Sequence, residues 1–331
     1  MVERWGAADF PAEIADWRTA NQHEIAESIR QVAARSGLRV HWVAHSVSGE
    51  NVAPQYFNFP QIMPEDIAEA VRIEVEAALP FRGEEALISY ILFPEQRLPQ
   101  GKIRTHGLAI AADGAFVENR LGAIRRADFE PFCLETDATA CANAFLATRE
   151  LPPSGTTAIL NVGHRYTNLA LLGGEGTLLV RDVPWAGSHV TQAIAGALSV
   201  SPEEAEALKR RHWEQGPGAA GTPAGAGNLD DRMGEVLQSC SKEVVRRLRD
   251  TIEFWIAERL VPGLGQMFLT GGGAQVRGLP ELLSSGFSVP VERWSPLPNA
   301  AGGAEGELKP WTYRMSVAFG LALRKLSGRR Q

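Results

Sequence analysis

The stretch TTAILNVGHRYTNLALL, residues 156–172, decides how this chain is read. An apolar run stops at Gly163, three bulky residues turn the chain, and a second apolar run begins at Thr167. A hairpin of this kind directs successive backbone N–H groups into one concavity, where they can hold phosphate oxygens. Gly163 lets the backbone approach an anion with no side chain in the way, and Thr167 offers a hydroxyl. Taken alone, the pattern is weak and fits a plain β-hairpin better.

A second segment weighs on that choice. In LTGGGAQVRGL, residues 269–279, an apolar strand runs into three glycines, and a helix opens near Leu279-Pro280. Bare backbone at Gly271, Gly272 and Gly273 leaves room for a flat ligand, whereas a tight strand-to-helix turn rarely needs all three. The two glycine sites flank a helical segment, as a nucleotide held between subdomains requires.

Outward from these sites the chain reads as alternating strands and helices. A short strand is expected over Glu3–Ala8, a helix over Asn21–Arg35 closed by Gly37, and a strand over Leu38–Val47. Strand, helix, strand, strand then follow at 52–59, 64–79, 86–93 and 103–111. A helix (118–126), a strand (129–134) and an Ala-rich helix (138–148) lead to the hairpin and a further strand at 176–182. Helical character returns over 190–211 and 229–260, a strand over 266–269, and a last helix over 315–326. Gly216–Asn228 and Asn299–Gly306 read as loops; the first has no Lys-Ser or Lys-Thr pair and is no P-loop.

Composition narrows the function classes. The 331 residues are 44% hydrophobic and 22% charged, with net charge -6, an ordinary globular balance of a length that suggests two lobes. Lys209-Arg210-Arg211 and Arg246-Arg247 are diluted by nearby acids and read as solvated helix faces rather than a nucleic-acid footprint. Cys133, Cys141 and Cys240 have no metal spacing, so buried thiols in a reducing compartment are expected. No run approaches the ~18 apolar residues that cross a bilayer, and no signal peptide is read at the start. A cytoplasmic protein is expected, held at a membrane by a partner if it works there.

In order and texture these elements resemble the actin-like ATPase superfamily, and most closely the type IV pilus assembly protein PilM family. PEDIAEAVRIEVEAALPF (64–81) is similar to the helix of that family's inserted module, and FEPFCLETDATACANAF (129–145) to a strand and connecting helix, with Glu135 and Asp137 at acidic positions. NVGHRYTNLALL is similar to the second phosphate motif, and residues 181–211 to the segment after it, with Gly187 and Thr191. SKEVVRRLRDTIEFW (241–255) resembles the helix bordering the adenosine, LTGGGAQVRGL the adenosine motif, and SVAFGLALRK (316–325) the closing helix.

The resemblance implies an α/β, two-lobed actin-like fold with a small strand-helix-strand-strand insertion in the first lobe. The expected division is a first-lobe core over 1–51, the inserted module over 52–118, and first-lobe core again over 119–150. A second-lobe core with the hairpin follows over 151–200, a helical subdomain over 201–260, a glycine-rich core over 261–310, and a closing helix over 311–331 that returns to the first lobe. The implied function is a cytoplasmic scaffold of type IV pilus or related secretion assembly, bound in a first-lobe groove to the cytoplasmic tail of the inner-membrane partner PilN. The implied cofactor is ATP with Mg²⁺, its site drawn from Asn161, Gly163, Thr167, Gly187, Glu243, Arg247 and Gly271–Gly273.

Two departures from the family pattern weaken that cofactor. No Asp-x-Gly hairpin precedes Trp5, and Asn161 stands where the family has Asp. An amide can hydrogen-bond a Mg²⁺-bound water but brings no negative charge. His164, Arg165 and Tyr166 are also bulkier than the small residues usual in that turn. Phosphoryl transfer rests on positioning and charge neutralisation, so weak or absent nucleotide binding and turnover are expected.

Alternatives remain open at this level. An active kinase-type enzyme of the superfamily and an FtsA-like filament former share the fold, and self-association is a further expectation for the chain itself. Glu243 and Arg247, one helical turn apart, hold the ribose and base or simply pair with each other. His41 and His45 sit on a strand, too far apart for a shared metal. The 8 Trp residues are spread along the chain, as core and interface residues are.

Overall fold

Asn21 starts the first helix of the computed structural model, accepting the His23 N–H with its side chain at the head of α1 (Gln22–Arg35). Gly37, at φ +60, ends it, with Leu38 N–H on Ala33 O. The structure describes residues 4–7, 19–81, 86–94, 96–97, 103–152, 154–215, 227–257, 263–276, 278–297 and 312–327. Glu3, Ala8, 216–226, 258–260 and 299–306, on which expectations above fall in whole or part, lie outside them.

In the first lobe, β1 (Trp42–Val47) pairs in parallel with β6 (Glu130–Thr136). Between them stand β2 (Val52–Pro60), α2 (Pro64–Ala77), β3 (Ala86–Leu92), β4 (Gln96–Arg97), β5 (Ile103–Asp113) and α3 (Gly114–Arg126). Strands β2, β5 and β3 form an antiparallel sheet in that order, and β4 pairs with β5. Ile67, Val71 and Val75, one face of α2, pack on Ala53, Phe57, Ala109 and Ala111 in a separate small core.

The second lobe is built on β7 (Thr156–Val162), β8 (Thr167–Leu172), β9 (Leu178–Val183), β10 (Leu264–Thr270) and β11 (Val291–Arg293), ordered β11-β10-β7-β8-β9. Nearly every residue of β7 and β8 is buried, which is why both read as continuous apolar runs. Among the described residues the lobe also carries the helices α5 (Gly187–Leu198), α6 (Pro202–Gln215), α7 (Gly227–Ala257) and α8 (Leu279–Phe287).

Two helices join the lobes, α4 (Asp137–Leu146) and the last helix α9 (Ser316–Ser327). Phe145 of α4 lies 4.8 Å from the Phe268 ring and 5.2 Å from Trp294, inside the main core. α9 crosses α4 at Gly320, where a Cβ would come within 1.8 Å of Ala140 O. Arg324 of α9 pairs with Glu135 at the end of β6.

Three expectations are corrected. Residues 4–7 form no strand: Arg4 donates to Gly37 O, Gly6 lies against Ser36 and Val32, and no neighbouring strand pairs with them. The helical run 190–211 is two helices, broken at Ser199 (φ +56) and restarted at Pro202. Lys209, read as part of a solvated face, is 2% exposed. Among the described residues no helix is long and apolar enough to cross a membrane.

Candidate functional site

The β7–β8 ladder runs to the Val162–Thr167 pair, and Gly163 N–H extends it by donating to Tyr166 O at 3.1 Å. A Cβ at Gly163 would stand 2.9 Å from that carbonyl, so the close approach explains the glycine. The first amides of α5 meet the same turn: Gly187 N–H donates to Gly163 O (3.1 Å) and Ser188 N–H to His164 O (2.7 Å). A helix N-terminus is a natural anion site, but these two donors are taken up by the protein. Thr167 is buried, and its hydroxyl donates to Trp185 O at 2.7 Å.

Asn161 also looks inward. Its Nδ2 donates to Asn168 Oδ1 (2.7 Å), Asn168 Nδ2 donates to Asp182 Oδ1 (2.6 Å), and Asp182 Oδ2 accepts Gly49 N–H (2.6 Å). Gly49, at φ +93 between β1 and β2, carries this chain of bonds into the first lobe. The Tyr166 ring covers it so closely that a Cβ there would meet the ring at 2.7 Å. Burial pushes the Asp182 carboxyl up to about 6; Asn168 and Gly49 pull it back and Asp137 adds like charge. Asp137 opens α4 and accepts the Ser46 (2.5 Å) and Ser48 (2.7 Å) hydroxyls, fixing the same turn from the other side.

The three glycines divide. Cβ atoms would meet Asn161 Oδ1 at 2.5 Å from Gly271 and Val162 Cγ1 at 2.2 Å from Gly273, so both let the chain pass over the end of β7. Gly272 opens outward, with Arg314 Nε 3.6 Å from its Cβ position. Asn161, Gly163, Gly187 and Gly271–Gly273 are thus gathered around one end of β7. Glu243 and Arg247 pair with each other at 2.7 Å, and Arg247 also donates to Pro184 O in the connection to α5.

Residues that sequence reasoning passed over complete the site. Lys209 Nζ donates to Gly187 O (3.0 Å) and Thr191 Oγ1 (2.7 Å) and pairs with Glu206 at 2.5 Å. Burial alone would raise the Glu206 carboxyl, but the Lys209 and Thr191 hydrogen bonds and the Lys209 charge hold it at about 2. One signal was available: Lys209 follows the buried Ala205 by four residues, on the same helix face. Asn168 and Asp182 face each other across β8 and β9, which no local pattern announces. Among the described residues no three His, Cys, Asp or Glu side chains gather as a metal site.

A hairpin, a helix N-terminus and a glycine-rich turn converging at one end of a mixed sheet, against a second α/β lobe, define the actin-like ATPase fold. Within it, the family model described as type IV pilus assembly protein PilM matches residues 1–326, and the chain belongs to that family. A solved structure of a PilM-PilN type IV pilus biogenesis complex is similar over 95% of this chain and 88% of its own, with TM-score 0.79 and 25% identity. Cell division protein FtsA of Escherichia coli (strain K12) is 26% identical over 182 residues, 49% of this chain and 42% of FtsA. FtsA of Rhizobium meliloti (strain 1021) is 32% identical over 138 residues, 38% of this chain and 31% of FtsA. The chain therefore spans less than half the length of these curated relatives.

Proposed function

We propose that the chain is a PilM-like cytoplasmic scaffold of type IV pilus or related secretion assembly. It binds the cytoplasmic tail of a PilN-like inner-membrane protein and thereby sits at the inner face of that membrane. The observation that carries this reading is the similarity over 95% of the chain to a PilM-PilN complex. The inserted module supports it: Leu87 and Ile91 of the edge strand β3 are 49% and 48% exposed, an apolar face suited to a peptide partner. In a binding titration with the tail peptide of a PilN-like protein, Leu87→Glu with Ile91→Glu should abolish the complex. Full-strength binding by that double variant would refute the site, and no binding by the wild type would refute the partner.

The nucleotide half of the reading is negative. The residues present do not fit Mg–ATP as they stand: the Gly163, Gly187 and Ser188 amides are spent, Thr167 is turned inward, and Asn161 brings no charge. The chain binds ATP weakly or not at all and has no efficient turnover. Calorimetric titration with ATP and Mg²⁺ checks this; saturable binding in the micromolar range with phosphate release would overturn it. An FtsA-like filament former or an active kinase-type enzyme would instead show nucleotide-dependent pelleting or transfer to an acceptor.

A further inference from the structure

The second lobe grips the inserted module at its root. The turn between β1 and β2 is where the first-lobe core passes into the module, and there Gly49 N–H donates to Asp182 Oδ2 of β9 at 2.6 Å. The Tyr166 ring of the hairpin turn lies on the same glycine, its Cε2 2.7 Å from where a Cβ would stand. Asn51 O takes the Asp113 N–H at the end of β5 (3.0 Å), so one turn ties the entry of the module to its exit. Away from the root the contact is apolar, with Phe93 and Leu108 buried in the main core beside Leu171 and Leu179. Among the described residues a cleft of about 870 Å³ borders both supports, with β2 on one wall and β9 on the other. The module also has its own core, around Phe57 and Val71, so it is built to turn as a body about Gly49.

Apolar contact is non-directional and tolerates a small shift, whereas a 2.6 Å hydrogen bond does not. The grip therefore rests on Asp182, the one ionisable carboxyl in the line Asn161–Asn168–Asp182–Gly49. Asp137 faces it from α4, Tyr166 and Arg165 stand in the hairpin turn, and Glu50 in the β1–β2 turn. Its neighbour Arg181 on β9 is exposed. Both protonation states of Asp182 can satisfy the line. The carboxylate accepts from Asn168 and from Gly49. The carboxylic acid, with both amides flipped, donates to Asn168 Oδ1 while Asn168 donates to Asn161 Oδ1, and Gly49 keeps its acceptor. The two states differ in cost, because closing over the carboxylate takes a charge out of water and closing over the acid does not. Burial accordingly holds the carboxyl at about 6 in the gripped arrangement, against an ordinary value of 3.8.

We propose that Asp182, Gly49 and Tyr166 form a proton-operated latch between the second lobe and the root of the inserted module. The latch closes over the neutral acid and slips when the carboxyl ionises, and the module then swings about the Gly49–Asn51 turn. The sign follows from linkage: the closed form binds the proton more tightly, so acid favours closure.

The test is single-molecule energy transfer in the full chain, with dyes at Ile73→Cys on α2 and Glu204→Cys on α6, both exposed. Cys133→Ser removes the partly exposed thiol, and the other two cysteines are buried. Two distance populations are expected, and their closed-to-open ratio should rise about tenfold between pH 7.5 and pH 5.0. Asp182→Asn is uncharged at both values and can still accept Gly49 N–H, so it should stay closed at both. Tyr166→Ala wets the carboxyl and should shift the chain toward the open population at pH 7.5. Because Asp182→Asn is nearly isosteric, it keeps the test valid should Tyr166→Ala fail to fold. A single unchanged population in the parent chain at both pH values would overturn the proposal. So would a pH response that survives in Asp182→Asn, since another group would then carry it.

Discussion

Replacing Asn161 by Asp restores the carboxylate usual in the family and should destabilise this protein. The bonds Asn161 to Asn168 to Asp182 form a directed relay in which each amide donates onward and Asp182 accepts twice, from Asn168 and from Gly49. A carboxylate at 161 cannot donate. With Asn168 as it is, two oxygens oppose each other; with Asn168 flipped, its oxygen faces Asp182 instead. Either way one buried acceptor loses its donor, at about 1–3 kcal/mol, and a second negative charge is added near one already disfavoured. We expect Asn161→Asp to lose about 2 kcal/mol at neutral pH. The double change Asn161→Asp with Asp182→Asn reverses the relay, since the amide at 182 now donates to Asn168 and Asn168 to the new carboxylate, so most of the loss should return. Urea unfolding followed by tryptophan fluorescence gives the four stabilities of the cycle, with an expected coupling near 2 kcal/mol. Additive effects, or an Asn161→Asp protein as stable as the wild type, would refute the reasoning.

Three further outcomes are expected. The Asp182 carboxyl, raised from 3.8 to about 6, makes the folded state bind more protons than the unfolded one between those values, so its contribution to stability falls as pH rises through that window, by up to ~3 kcal/mol. His45, lowered from 6.5 to about 4, acts with the opposite sign over nearly the same range, so on acidification the denaturant midpoint should fall more steeply than the wild type's in Asp182→Asn and shift the opposite way relative to the wild type in His45→Gln. Gly320→Ala pushes a methyl into the Ala140 carbonyl, and calorimetry should show a loss of more than about 2 kcal/mol with a looser α4–α9 contact. Lys209→Met leaves Glu206 and the Gly187 carbonyl without their cation, so about 3 kcal/mol should be lost at pH 7; Lys209→Met with Glu206→Gln should recover part of it.

Much of the fold was readable because its signals are local. The ends of β7 and β8 were set by apolar runs interrupted at Gly163, and α1 by Asn21 and Gly37. The α5–α6 break was missed because Ser199 adopts a left-handed conformation that serine seldom signals. Lys209 was misread because charge was counted along the sequence, while its environment comes from Gly187 and Thr191 of another helix.

At the candidate site, the sequence by itself determined which groups gather: the hairpin, the glycine triplet and the absence of a carboxylate at 161 follow from residue type and order. Only the tertiary structure decided whether those groups are free. Gly163 is answered by Gly187, Asn161 by Asn168, and Asp182 by Gly49 across 133 positions of chain. A hydrogen-bond donor available to a phosphate and one already satisfied look alike in a sequence, because the difference is the position of an acceptor within about 3 Å, which strand register and lobe packing alone set.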